Sequence, residues 1–526
     1  MIAILATLAQ PLPVDPDPID RPPVDWGAVA PMLILAGGAL VLMLVSSFMR
    51  NRKLTLPYTL ATCVIGLAAI GATIPLWREV QDADRGPFST MAGAVGVDGF
   101  SLFMIVVIAV AVILAALLTD GYLRREGLES VEPYVLLLLS ASGGVVMSQA
   151  NDLIVLFLGL EVLSLAAYVL AAMHRRRVTS QEAGMKYFVL GAFSSAFLLY
   201  GIALVYGGTG TTSLVKIVQT FNTSALESDG LALAGLALML VGLGFKVAAV
   251  PFHFWTPDVY QGTPSPMVAW MASGVKVAGF AGLIRVFVLG FAAYRVDWQP
   301  LIYGVAVATL VVGAVLAVVQ TDVKRMMAYS SINHAGWVLV GVQAASSQGV
   351  QAALFYLATY TFLIAGTFGV ITLVGRKGDS RHDLDDYRGL ARSRPGLALV
   401  LTVFLFAQAG VPLTSGFFAK FYVITAAVEA GSTWLAVIAM ITAVISAFLY
   451  LRITVSMYMS DPEESDADAT DSAGIRRAGG PQVSIPVGAG ICLAVCLVVT
   501  LVVGVWPGSI SGLAKDAVPA LVASSP

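Results

Sequence analysis

Apolar residues in this chain run in long blocks and do not alternate with polar ones. A hydrophobic block of about 20 residues is long enough to cross a bilayer as a helix. About 14 such blocks follow one another, near 28–49, 55–76, 100–119, 132–149, 153–173, 183–206, 231–250, 264–289, 300–320, 326–345, 350–375, 397–428, 433–457 and 484–506. No block shows the period-two alternation of a membrane barrel. The pattern predicts an all-α polytopic membrane protein with about 14 transmembrane helices, numbered here as spans 1 to 14. The polar segments between them are short. The longest are 376–396, rich in both charges, and 458–483 with its acidic DPEESDADATD. Neither is large enough for a separate catalytic domain.

Composition agrees with the pattern. The 526 residues are 58% hydrophobic and 12% charged, with a mean hydropathy of +0.85. A soluble domain carries roughly 25% charged residues. The net charge of −2 argues against nucleic acid as a partner. Residues 1–27, apolar and then proline-rich and acidic, read as an extended surface tail. Cys492 and Cys496 lie in an apolar run without nearby histidines, so they are expected to be small apolar filler. GGTGTT at 207–212 is expected to be a loop, and no metal site, Walker loop or dinucleotide fingerprint is found.

Basic residues set the orientation. With the N-terminus outside, loops after odd-numbered spans carry about 18 lysines and arginines and the other face about 7. These include Arg50, Arg52 and Lys53, then Arg175, Arg176 and Arg177, and later Arg381, Arg476 and Arg477. The expected location is a bacterial inner membrane, with both termini on the outer face.

The charges that fall inside spans carry the candidate chemistry: Glu161 in span 5, Lys186 in span 6, Lys246 in span 7, Lys276 in span 8, His334 in span 10, Lys420 in span 12 and Arg452 in span 13. A lysine or aspartate at a helix centre costs roughly 2.5–3.5 kcal/mol to insert. Four lysines and a glutamate therefore cost on the order of 10 kcal/mol if unpaired. They must pair, face a wet cavity or change protonation. Close together, a buried lysine and glutamate stabilise each other's charge; drawn apart, the lysine tends to release its proton. Such a pair is a proton switch. Plainer readings remain open for three residues. Lys186 and Arg452 can snorkel to the interface, and His334 can be a neutral core histidine.

Prolines add a second clue. Pro251 follows Lys246 by five residues, and Pro412 precedes Lys420 by eight. In lipid, freed carbonyls survive only beside protein or a wet cavity. Both breaks share a small-residue approach, AAVP at 248–251 and AGVP at 409–412. Spans 7 and 12 are five apart and so cross in opposite directions. This predicts two inverted five-helix repeats with broken helices 7 and 12. The expected organisation is a tail over 1–27, N-terminal transmembrane helices over 28–119, a first repeat over 120–299 and a second over 300–457. An acidic cytoplasmic loop over 458–483 and a C-terminal helix and tail over 484–526 complete it.

At this point a resemblance appears. FKVAAVPFHFWTPDVYQGTPSP (245–266) resembles the signature of the antiporter-like membrane subunits of proton-pumping NADH:quinone oxidoreductase (complex I), and among these the subunit N family. LGLEVLSLAAYVLAA (158–172), EAGMKYFVLGAFSSAFLLYGIALVYGGTGT (182–211), DVKRMMAYSSINHAGW (322–337) and GVPLTSGFFAKFYV (410–423) extend it over roughly residues 95–455. The resemblance implies proton-transfer roles for Glu161, Lys246, Lys276, Lys420, Lys186, His253 and His334. It implies protons taken up towards Glu161 and Lys246 and released near Lys420. No cofactor is expected in this chain; NADH, FMN, Fe–S clusters and quinone belong to partner subunits. The expected partners are the other membrane subunits, the peripheral redox arm and membrane lipids, so the chain is expected to be a non-redox subunit of a proton-translocating enzyme. Competing readings are a subunit of a multisubunit Na+/H+ antiporter or membrane-bound hydrogenase, a stand-alone secondary transporter, and a membrane scaffold. The proline-rich tail and the acidic loop 461–472 lie outside the resemblance.

Overall fold

The structure is a computed structural model and describes residues 22–48, 55–223, 229–380, 382–459 and 485–520. Most of the expected tail, the basic residues Arg50, Arg52, Lys53, Arg381, Arg476 and Arg477, and the acidic loop 461–472 lie outside the described residues.

Helices account for nearly all of it: α1 Trp26–Phe48, α2 Thr55–Gln81, α3 Gly99–Glu126, α4 Glu132–Gln149, α5 Leu153–Ala171, α6 Val178–Thr209, the amphipathic α7 Leu214–Thr223, and α8 Asp229–Val247. Then come α9 Trp255–Gly262, α10 Ser265–Gly290, α11 Arg295–Val318, α12 Val323–Gln343, α13 Ser347–Val374, α14 Pro395–Ala409, α15 Ser415–Glu429, α16 Thr433–Met459, α17 Val487–Val505 and α18 Gly508–Asp516. Eleven of the described helices are long and apolar enough to cross a membrane. The shorter α4, the polar α12 and the jointed α14–α15 complete the expected series of spans. A hairpin pairing Phe88–Thr90 with Val95–Val97 is the one sheet among the described residues. The GGTGTT loop starts later than expected: α6 runs to Thr209 and stops at Gly210, whose φ of 72° suits glycine.

Two helix starts expose the repeat. Asp152 caps α5 by accepting from the Ile154 amide, and Asp322 caps α12 by accepting from Arg325. Each capped start also borrows a return strand. Leu153 N donates to Thr212 O (2.9 Å) and Leu214 N to Asn151 O (3.0 Å). Val323 N donates to His382 O (2.7 Å) and Leu384 N to Thr321 O (2.9 Å). The same knot thus ties span 5 to the loop after span 6, and span 10 to the loop after span 11. Spans 5 and 10 begin on opposite faces, so the two knots are related by inversion.

Both expected breaks are present. In span 7, α8 ends at Val247 and α9 resumes at Trp255; in span 12, α14 ends at Ala409 and α15 resumes at Ser415. HFWTPDVYQG (253–262) is mostly the half-helix α9. α10 and α12 form the centre, with almost every side chain buried. α1, α2, α6 and α16 leave rows of large apolar side chains exposed, as lipid or a neighbouring subunit requires. α6 and α8 approach closely because Gly201 and Gly235 face each other; a Cβ at either lies 2.6 Å from the other's carbonyl oxygen.

Candidate functional site: a line of buried lysines

Lys246, Lys276 and Lys420 are all nearly sealed, with exposures of 3%, 3% and 7%. Among the described residues, none has a carboxylate within ion-pair distance. Each is held by neutral dipoles.

Lys246, at the end of α8, donates to Ser164 Oγ at 2.7 Å. Glu161, Ser164 and Tyr168 share one face of α5 by the i, i+3, i+7 spacing. The Tyr168 and Tyr187 rings lie 5.6 and 5.5 Å from the ammonium. Glu161 acts on Lys246 through space but does not bond to it, and Glu161 Oε1 is buried without a partner. The ion pair expected between Glu161 and Lys246 is not formed in this structure; Ser164 takes the ammonium instead.

Lys276 follows directly on a π turn, Met271–Val275, that shifts the register of α10. One turn later Gly279 passes against the Lys246 stem; a Cβ there meets Lys246 Cγ at 3.2 Å. The two lysines are thus neighbours across α8 and α10. Lys276 donates to Ser331 twice, to its carbonyl and to its hydroxyl, both at 2.6 Å.

Tyr360 bridges onward. Its ring centre is 5.7 Å from the Lys276 ammonium and 4.7 Å from the His334 ring. His334 is the centre of a hydroxyl chain, with Nδ1 2.6 Å from Tyr356 and Nε2 3.1 Å from Tyr450, which in turn meets Ser330 at 2.7 Å. Beyond it a cavity about the size of one water is lined by His334, Tyr356, Tyr360, Gln408 and Lys420. Lys420 donates to Ala409 O at 2.8 Å, one of the carbonyls freed by the break. Gly410, at φ 94°, leaves room for it; a Cβ there would lie 3.0 Å from Lys420 Cδ.

Among the described residues, no hydrogen bond joins the other two candidates to this line. His253 lies in the span 7 break with Nδ1 buried and unpartnered. Lys186 is half-exposed and ion-paired to Glu182 (2.6 Å) and Asp258 (2.8 Å), and Asp258 also pairs with Arg325 (2.6 Å). Arg452 reaches the carbonyls of Val318 and Gln320 at the end of α11. The hydroxyl links Ser164, Ser331, Tyr356, Tyr360 and Tyr450 were not anticipated from sequence. Nor were Arg285 and Asp98, a fully buried pair at 2.7 Å. Arg285, three residues after Gly282 near the end of span 8, reads as an interface anchor until its partner Asp98, the N-cap of α3, is seen.

The profile of the NADH:quinone oxidoreductase/Mrp antiporter transmembrane family matches residues 150–446. The chain belongs to that family. The matched stretch holds all seven candidate residues and both breaks. NADH-quinone oxidoreductase subunit N of Trichlorobacter lovleyi is 42% identical over 442 residues, 84% of this chain and 89% of that protein. A chain of respiratory complex I from Thermus thermophilus with bound aureothin superposes with a TM-score of 0.73 at 32% identity, covering 92% of this chain and 99% of that one. A chain of the Mrp complex from Dietzia sp. superposes with a TM-score of 0.78 at 23% identity, covering 93% and 97%; at that identity the likeness speaks for the fold.

Proposed function

We propose that this chain is the proton-translocating subunit N of a bacterial NADH:quinone oxidoreductase. The observation that carries the reading is the continuity from Lys246 to Lys420: buried lysines, each on a neutral acceptor, separated by Tyr360 and His334. Neutral acceptors leave a lysine free to exist with or without its proton. A carboxylate would hold it charged.

In this reading the electron chemistry of NADH, FMN, Fe–S clusters and quinone stays in partner subunits, and this chain does no redox chemistry. The arginine-rich loops face the cytoplasm and both termini face outward. A movement that brings Glu161 towards Lys246 stabilises the ammonium there and repels a second charge on Lys276. The proton then passes by Tyr360 and His334 to Lys420, and from there to the outer face. The groups titrate as a set. Lys186 acts with Asp258 at the flank, and His253 within the first break. The chain spans residues 28–119 as N-terminal support, two repeats over 120–299 and 300–457, and a C-terminal helix.

The test is proton transfer in the assembled complex, reconstituted in vesicles. Lys246→Ala is expected to lower the protons moved per NADH oxidised. Glu161→Gln is expected to do the same and Glu161→Asp less so. A full proton count in Lys246→Ala removes that residue from the mechanism.

A further inference from the structure

Two loops far apart in sequence lie side by side at one end of the bundle. The first, 174–177, follows α5; the second, 375–382, follows α13. Two buried carboxylates hold them together. Glu126, at the end of α3, accepts the Gly378 amide (2.7 Å) and meets His174 Nε2 (3.4 Å) through one oxygen, Oε2. Asp379, in the second loop, has a side chain with no exposed surface. It receives Arg177 (3.0 Å), Lys324 (3.2 Å) and His382 Nε2 (2.8 Å), with Arg125 at 3.8 Å. Arg125 also pairs with Glu126 (2.8 Å). Both carboxylates are thus engaged inward. The cations that flank them, Arg175 and Arg176 in one loop and Arg376 and Lys377 in the other, are exposed. Among the described residues, no carboxylate lies within ion-pair distance of Arg175, Arg176 or Lys377. The acids of the adjoining turn are engaged locally: Asp385 pairs with Arg388 (2.9 Å), and Asp386 accepts the Asp383 amide (3.0 Å).

A row of contacts joins this basic patch to both ends of the segment 460–484. On one side, α16 ends at Met459 against the turn that continues the second loop: Gly389 N donates to Ser456 O (3.4 Å), and Ser456 Oγ donates to Leu384 O (3.1 Å). On the other side, the chain re-enters at Pro486, which packs on α3; a Cβ on Gly121 would lie 2.5 Å from the Pro486 ring. One turn further along α3, Arg125 donates to the Thr372 and Gly375 carbonyls at the end of α13. The patch therefore lies between the point where the segment leaves and the point where it returns. The first half of that segment holds Asp461, Glu463, Glu464, Asp466, Asp468 and Asp471. Its own cations, Arg476 and Arg477, come after the acids and are two against six. Extended chain covers roughly 3.3 Å per residue, so these carboxylates are within reach of the patch from Met459. A patch of one sign attracts the opposite one.

We propose that the chain's own acidic segment, 461–471, docks on the basic patch formed by Arg175, Arg176, Arg376 and Lys377. The inference does not depend on proton translocation or on which way the chain crosses the membrane, since the patch and both ends of the segment share one end of the bundle. Exposed ion pairs are individually weak, but a tethered partner is present at high effective concentration, so several of them suffice. The contact joins parts that are otherwise separate. Arg175 and Arg176 follow a helix of the first repeat, Arg376 and Lys377 follow a helix of the second, and the segment leads from α16 to α17. Burial of Glu126 and Asp379 does two things here: it fastens the loops together, and it keeps their carboxylates from neutralising the outward cations. The contact is electrostatic and therefore weakens as salt screens it.

The test is cross-linking in the assembled complex, in phosphatidylcholine vesicles. Ser380→Cys stands exposed beside the patch and Ala467→Cys among the acids; neither removes a charge. A short bismaleimide is added, and the link between the two positions is measured by mass spectrometry. The link is expected to form at low salt and to fall severalfold as sodium chloride rises from about 0.05 M to about 0.5 M. It is expected to fall as far at low salt when Arg175→Gln, Arg176→Gln and Lys377→Gln are combined. A yield unchanged by salt and by the triple variant overturns the proposal, since a tethered chain colliding at random gives that result. No link at low salt, or a link from Ala467→Cys to another subunit in its place, overturns it as well. Phosphatidylglycerol is then added to the vesicles. An unchanged yield supports the proposal, and a lost yield overturns it in favour of lipid phosphate on the patch. Should the triple variant fail to assemble, the salt series alone decides.

Discussion

Lys276 and Lys324 are both sealed lysines in the heart of one bundle, yet they are compensated in opposite ways. Lys324 lies on a carboxylate, Asp379, which two arginines and a histidine also touch. Lys276 lies on a serine. An ion paired with an ion is fixed in charge, and removing one partner strands the other. An ion held by dipoles loses less when it becomes neutral. The first arrangement ties helices together; the second can be switched. One face of the molecule is thus fastened by charge, and the middle is left adjustable.

The largest expected effect breaks the fastened side. Asp379→Leu strands Lys324 and Arg177, and is expected to cost about 3–5 kcal/mol, read as a lowered thermal transition of the purified complex. An unchanged transition would mean the cluster does not fasten that face. Acid should remove the same stabilisation. The Asp379 carboxyl titrates lower in the fold than in an unfolded chain. Its contribution is therefore complete above the usual carboxylate range and lost as pH falls through the depressed value. Thermal transitions of wild type and Asp379→Asn are expected to differ at neutral pH and converge in strong acid. Gly410→Ala forces a left-handed residue against Lys420 and is expected to cost about 1–2 kcal/mol by the same assay. The smallest effect sharpens the other side. Lys276→Met removes a buried ion that has no counter-ion to strand, and is expected to change stability by under about 1 kcal/mol while lowering the proton count.

The spans were legible because length and apolarity are local properties. The breaks were legible because proline and a nearby lysine are visible together in FKVAAVP and AGVPLTSGFFAK. Compensation was not, because partners come from distant segments: Ser331 for Lys276 is 55 residues away and Asp98 for Arg285 is 187. Glu161 looked like the partner of Lys246, since both are charged, but Ser164, one turn further on, makes the bond. The segment 376–396 was legible only as a short polar connection rich in both charges. Its Asp379 and His382 are instead buried, because Arg125, Arg177 and Lys324 converge on that carboxylate and the His382 ring bonds to it.

The freed end of α14 has one more consequence. Lys420 is tethered to Ala409 O, and Lys276 shares its bond with Ser331 O. Both acceptors are main-chain atoms. No exchange of side chain at position 409 or 331 deletes them, so these two ammonium groups keep a docking point through any amount of sequence drift at the residue that supplies it. Only a change in backbone path, such as straightening the break, can take it away.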